Sequence, residues 1–147
     1  EQTGNRFIAK LSPDGKRLLA STYLGGNARD GGEGIAVDDH GQVYLSGFTC
    51  STDFPVDANA MQARSAGARD GTPFVLSPDF GRAVLSSYLG GRGEDNFRAI
   101  AMCPDGGFAI VGETSSAEWP VLNAFQPRAR GGGNEAVVLK FAPAGPK

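Results

Sequence analysis

Apolar residues recur along the chain in short runs of four to eight positions, several of them alternating with polar ones, and each run is bounded by Gly, Pro, Asp or Asn. Period-two runs of that length, closed by turn-forming residues, predict β-strands. In the middle of the chain four such runs follow one another: strand A over residues 34–38, B over 42–49, C over 72–76 and D over 82–89. Asp39-His40-Gly41 joins A to B and Pro78-Asp79-Phe80-Gly81 joins C to D, both suited to the dihedrals of a tight turn, so each pair reads as a β-hairpin.

The same pattern returns at a fixed spacing. Ser21-Thr22-Tyr23-Leu24-Gly25-Gly26 recurs as Ser86-Ser87-Tyr88-Leu89-Gly90-Gly91, a shift of 65 residues. That shift also carries Leu11-Ser12-Pro13-Asp14 onto Leu76-Ser77-Pro78-Asp79, Ile35-Ala36 onto Ile100-Ala101, and Phe54-Pro55-Val56 onto Trp119-Pro120-Val121. Twice the shift maps Phe7-Ile8-Ala9-Lys10-Leu11 onto Val137-Val138-Leu139-Lys140-Phe141. The expected organisation of residues 1–147 is therefore one segment of three units. Residues 5–26 supply the C and D strands of a first unit, residues 33–91 a complete unit with a long B–C insertion at 49–72, and residues 97–147 a third unit lacking its last strand. Four antiparallel strands repeated at a period above 40 residues predict an all-β fold of β-propeller blades, about two and a half of them in this chain. Pro73 withholds a ladder donor, so the middle C strand is expected to be short or to start late.

Composition agrees with this reading. The chain has 147 residues, enough for one domain, and its 22 Gly and 9 Pro demand many turns and leave little room for long helices. A net charge of -2 lacks the basic footprint of a nucleic-acid partner. The longest apolar run, Ala99 to Cys103, is far too short to cross a bilayer, so no membrane insertion is expected. The chain opens on Glu1 rather than Met and with no signal-like segment, which reads as a processed or excised chain.

The runs FIAKLSPDGK, STYLGG, GIAVDDHGQVYLSGFT and STDFPV resemble the SBBP family of bacterial β-propeller repeats, in the family's order and over nearly the whole chain. Met102-Cys103-Pro104, standing where the preceding copy has Val37-Asp38-Asp39, departs from that pattern. The resemblance implies an extracellular or cell-surface bacterial setting, with the periplasm as an alternative, and an interaction role; it brings no catalytic residues.

Two and a half blades would leave two open faces. If each exposes on the order of 400 Å² of apolar surface, covering it would contribute roughly 10 kcal/mol, an upper estimate. The expected partner is thus protein: adjoining blades, or copies of the same chain forming a homo-oligomer.

Strand alternation places residues 27–33, 92–96 and the insertions 50–71 and 115–134 at one end of the sheets, and the hairpin turns at the other. At the first end Asp30, Glu33, Glu94 and Asp95 lie near the start of the innermost strands. Ca²⁺ is the cation such oxygen ligands would suit, although their spacing fits no calcium loop, and carboxylates at glycine-rich corners read first as turn-stabilising groups. No cofactor is expected. Phe54 and Trp119 begin the apolar part of each insertion and read first as loop anchors; an exposed aromatic there could contact carbohydrate or a protein partner, with Trp119 the better candidate. Arg128 and Arg130 precede Gly131-Gly132-Gly133 in a small basic segment that reads as a linker rather than an anion site. His40, the single histidine, sits at a hairpin tip; with no G-x-S-x-G elbow or phosphate loop, catalysis is not expected. Cys50 and Cys103 fall at opposite ends of the sheets, beyond disulfide reach within a chain.

The function the sequence favours is a non-catalytic extracellular interaction or assembly module. A substrate-binding part of a carbohydrate-active enzyme would need two acids roughly 5–9 Å apart across a cleft, and the adjacent Glu94 and Asp95 do not offer that pair. A structural subunit of a filament uses the same open faces in contacts that fail to close.

Overall fold

A computed structural model describes residues 4–131 and 133–143. Glu1, Gly132 and the expected end of the third unit at 147 lie outside the described residues. Ten strands and no helix make up the described chain: β1 (Arg6–Leu11), β2 (Leu18–Leu24), β3 (Asp30–Val37), β4 (Val43–Thr49), β5 (Asp70–Gly71), β6 (Phe74–Leu76), β7 (Ala83–Ser86), β8 (Asp95–Met102), β9 (Phe108–Thr114) and β10 (Glu135–Phe141). They form three antiparallel sheets, none closed on itself. Sheet I is β1-β2, sheet II runs β3-β4-β6-β7 with β5 also paired to β4, and sheet III runs β8-β9-β10.

The all-β expectation and the positions of the strands hold, while several boundaries move for local reasons. Strand A of sheet II starts at Asp30 instead of Gly34, because Gly31 and Gly32 pair with Phe48 and Gly47 before a bulge between Gly32 and Gly34. The bulge repeats in sheet III between Phe97 and Ala99, 65 residues on. Pro73 delays strand C until Phe74, and it also shortens strand D. Ser87 finds only the Pro73 carbonyl, at 3.4 Å, and the chain pairs again where Gly71 and Leu89 exchange backbone bonds of 3.1 and 2.8 Å.

The sheets stack in chain order, with sheet II in the middle and β4 buried along its whole length. On one face Val43, Leu45, Phe74 and Leu76 of sheet II, with Tyr88 just beyond β7, pack with Ile8 and Leu24 of sheet I. On the other, Tyr44 and Val75 meet Phe97, Phe108, Ile110 and Val137 of sheet III. Alternation along β4 sorts these two sets, since neighbouring residues of a strand point to opposite faces.

Candidate functional site

The four carboxylates nearest the inner strand starts do not converge. Asp30 is buried, and its carboxylate accepts bonds from Thr49 Oγ1, from Ser51 Oγ at 3.0 Å and from the Gly26 amide at 2.8 Å. Asp95 repeats the arrangement with Thr114 Oγ1, with Ser116 Oγ at 2.9 Å and with the Gly91 amide at 2.8 Å. Their oxygens are committed to protein donors. Glu33 and Glu94 instead lie at the surface in ion pairs, with Arg98 at 3.3 Å and Arg69 at 3.4 Å. Among the described residues no group of three or more His, Cys, Asp or Glu could hold a metal ion. The two aspartates are staples: each ties the start of strand A to the end of strand B in its own sheet and to the glycine pair that ends the preceding D strand. In the sequence they read as turn-stabilising carboxylates; the signal for their role is an Asp followed 19 residues later by Thr-x-Ser, at 30, 49 and 51 and again at 95, 114 and 116.

A buried cation accompanies the first staple. The Arg6 guanidinium donates to Thr72 Oγ1 at 2.7 Å and to the Gly31 carbonyl at 3.2 Å, and lies 5.1 Å above the Phe54 ring. Burial pulls its pKa down to about 10, against the attraction of Asp30. Phe54 itself is buried between Arg6, Phe74 and Tyr88, so it is an internal anchor and not a surface contact.

At the opposite end the hairpin turns carry their own carboxylates. A bond from Ser12 holds the Asp14 carboxyl below its ordinary range, with help from the Lys16 amide. Ser77 and the Gly81 amide do the same for Asp79, and Lys140 and the Gly107 amide for Asp105. Desolvation pushes Asp38 upward, but bonds from the Gln42 amide, Tyr44 and the His40 amide carry it below the usual value. His40 occupies the turn tip, as expected, with its amide on Asp38 Oδ1 at 2.9 Å. Cys50, after β4, and Cys103, after β8, are free and half-buried.

The insertions meet the D–A loops at the first end: Asn27 donates to Asp53 at 2.7 Å, and Glu94 to Ser115 at 2.7 Å. Trp119 stands half-buried, edge-on to Phe97 at 6.2 Å, beside an open cavity of about 400 Å³ that Ser116, Gln126, Ala136 and Val137 also line. Arg128 and Arg130 are exposed, and Arg130 donates its amide to Glu135 at 3.2 Å.

The outermost surfaces present large apolar residues that are not among the candidates named from the sequence. On sheet I, Ile8 and Leu24 face sheet II, so Phe7, Leu11 and Tyr23 point the other way; Phe7 is 70 % exposed and Tyr23 81 %. On sheet III the far side presents Val111 and Val138, the latter 76 % exposed. The 65-residue shift was the available signal, because it places Tyr23 on Tyr88, which is 1 % exposed.

No family model matches the chain, and no curated protein matches it. The resemblance to SBBP repeats therefore rests on the motifs quoted above.

Proposed function

We propose that this chain is a non-catalytic assembly module built from β-propeller-type blades, and that its open faces take the faces of further blades of the same kind. One observation carries the reading. The face of sheet I formed by Phe7, Leu11 and Tyr23 corresponds, under the 65-residue shift, to the faces that sheets II and III bury against their neighbours. Thr72, Leu76 and Tyr88 occupy those positions in sheet II, and Val137 and Phe141 in sheet III. A surface used twice inside the chain is left wet once outside it, and large exposed apolar patches of that kind mark interaction sites. The far face of sheet III is the complementary type, so contact between copies is head-to-tail. The SBBP-like motifs support the blade architecture and an extracellular bacterial setting as parts of the same proposal.

Light scattering of the chain over a concentration series tests it. A discrete oligomer, or species that grow with concentration, is the expected result, and a strictly monomeric chain throughout the series would overturn the reading.

A further inference from the structure

In sheet II the insertion between β4 and β6 is closed by the strand that follows it. Tyr88 Oη donates to the Ser51 carbonyl at 3.0 Å and accepts from the Phe54 amide at 2.8 Å, with its ring edge-on to Phe54 at 5.9 Å. The Tyr88 amide donates to the Gln62 carbonyl at 3.2 Å, and the Gly90 amide to Gln62 Oε1 at 3.0 Å. Leu89 pairs in both directions with Gly71. The 65-residue shift carries Ser51, Phe54 and Gly71 onto Ser116, Trp119 and Ala136. Gln126, one residue short of that shift, is the counterpart of Gln62, since each donates its side-chain amide to the arginine carbonyl two residues on, Arg64 at 2.9 Å and Arg128 at 3.2 Å. In sheet III Ser116, Trp119, Gln126 and Ala136 line the cavity of about 400 Å³, and among the described residues β10 beside it pairs only with β9. The cavity stands where the tyrosine sits in sheet II. Next to it Leu122 is exposed, at the position of Asp57, whose amide in sheet II donates to the Ser86 carbonyl at 3.1 Å.

We propose that β10 and the insertion over residues 118–130 form a strand-accepting site for an extended segment of the Ser-Ser-Tyr-Leu-Gly-Gly kind. The segment lies antiparallel to β10, its tyrosine fills the cavity against Trp119 and Gln126, and its backbone pairs with Ala136. Main-chain bonds to the sheet edge supply affinity, and the single aromatic pocket fixes register and selects the ligand. The glycine after the leucine presents an amide to the Gln126 side chain, as Gly90 does to Gln62. This inference rests on the blade-to-blade reading above and goes beyond it by naming the ligand and the pocket that reads it.

The probe is the peptide Arg-Ala-Val-Leu-Ser-Ser-Tyr-Leu-Gly-Gly, residues 82–91 of this chain, titrated into the full chain and followed by the emission of Trp119, the single tryptophan. A saturable emission change is expected, and alanine in place of the peptide's tyrosine should weaken binding by about tenfold or more, as loss of a central aromatic anchor does. In the chain, Ala136→Pro should abolish binding while leaving the far-UV circular dichroism unchanged. The equivalent Gly71 turns its amide toward strand D, so the substitution removes an edge donor and no β9 bond. Should that variant not fold, Gln126→Ala takes its place and should lower affinity. No saturable change, or equal binding by the alanine peptide, overturns the site. A chain that self-associates yet ignores the peptide overturns this site and leaves the assembly reading intact. A monomeric chain that binds the peptide does the reverse.

Discussion

Tyr23 and Tyr88 occupy one position of the repeat in two environments, and substituting each by alanine separates packing from assembly. Tyr88 is 1 % exposed, packs against Phe54, and bridges the Ser51 carbonyl to the Phe54 amide. Deleting a buried aromatic costs about 3–5 kcal/mol through lost transfer and the cavity left behind. The Phe54 amide then loses its acceptor inside the core, which places Tyr88→Ala toward the upper part of that range. For a chain of this size each kcal/mol lowers Tm by about 2–4 °C, so the variant should melt about 6–20 °C below the parent. Tyr23→Ala removes an 81 % exposed side chain and should stay within about 0.5 kcal/mol of the parent when unfolding is followed at high dilution. Light scattering should show the opposite ranking, with Tyr23→Ala suppressing the concentration-dependent increase in mass. Equal melting losses for the two variants, or unchanged self-association in Tyr23→Ala, would refute the assignment of Tyr23 to an unpaired copy of an internal interface.

The staples give a second contrast: Asp95→Ala strands Thr114, Ser116 and the Gly91 amide without an acceptor, at about 1–3 kcal/mol each where no water replaces it. Glu94→Ala, in an ion pair with a largely exposed carboxylate, should change stability by less than about 1 kcal/mol, and urea unfolding compares the two. Because Asp14, Asp79, Asp105 and Asp38 are all held below their ordinary value of 3.8, their stabilisation is present above that pH and is lost as pH falls through their lowered folded values. The urea midpoint should therefore drop on acidification below about pH 4, and Asp105→Asn should make the drop shallower. Gly15 adopts φ +71° with open space around its missing Cβ, so Gly15→Ala isolates the backbone cost and should destabilise by about 1 kcal/mol in the same assay.

Most of the strand layout was legible because a repeat is read twice. A run such as Val43–Thr49 gains force from its copy at Phe108–Thr114, and both are strands. What escaped the pattern depends on close backbone approach. The early start of β3 uses glycines that carry no hydropathy signal, yet a Cβ on Gly47 would strike the Gly31 carbonyl directly. The staples escaped for another reason: Asp30 and Asp95 are charged and glycine-flanked, the composition of a solvated corner, and only their distant Thr and Ser partners make burial tolerable. Phe54 and Trp119 both read as loop anchors, with Trp119 the better candidate for a contact. The first is sealed by Tyr88 and the second is left beside a cavity, a difference set by strand D in sheet II and not by the local sequence.

The staples also bear on how the open faces act. Asp30 joins the end of β2 in sheet I, through Gly26, to the end of β4 in sheet II, and Asp95 joins Gly91, beyond β7, to the end of β9 in sheet III. Each crossing from one sheet to the next is thus fixed by the same three donors. The crossing is also tightly filled, since a Cβ on Gly90 would lie 2.5 Å from oxygens of both Asp70 and Asp95. The same three-donor joint at both crossings, with Asn5 beside Gly25 where Asp70 stands beside Gly90, favours the same relation between sheets I and II as between II and III. The outer face of sheet I is therefore held in the orientation that its counterparts have when buried, before any partner arrives. A surface ordered in advance binds without the entropic cost of arranging it. That is why weakening a joint should reduce assembly even though no staple residue touches the partner: Asp30→Asn, which keeps the volume but removes the charge that three donors share, should lower self-association at concentrations where the chain stays folded. Unchanged mass in light scattering, with circular dichroism confirming a folded but less stable chain, would show that the open faces act independently of the joints behind them.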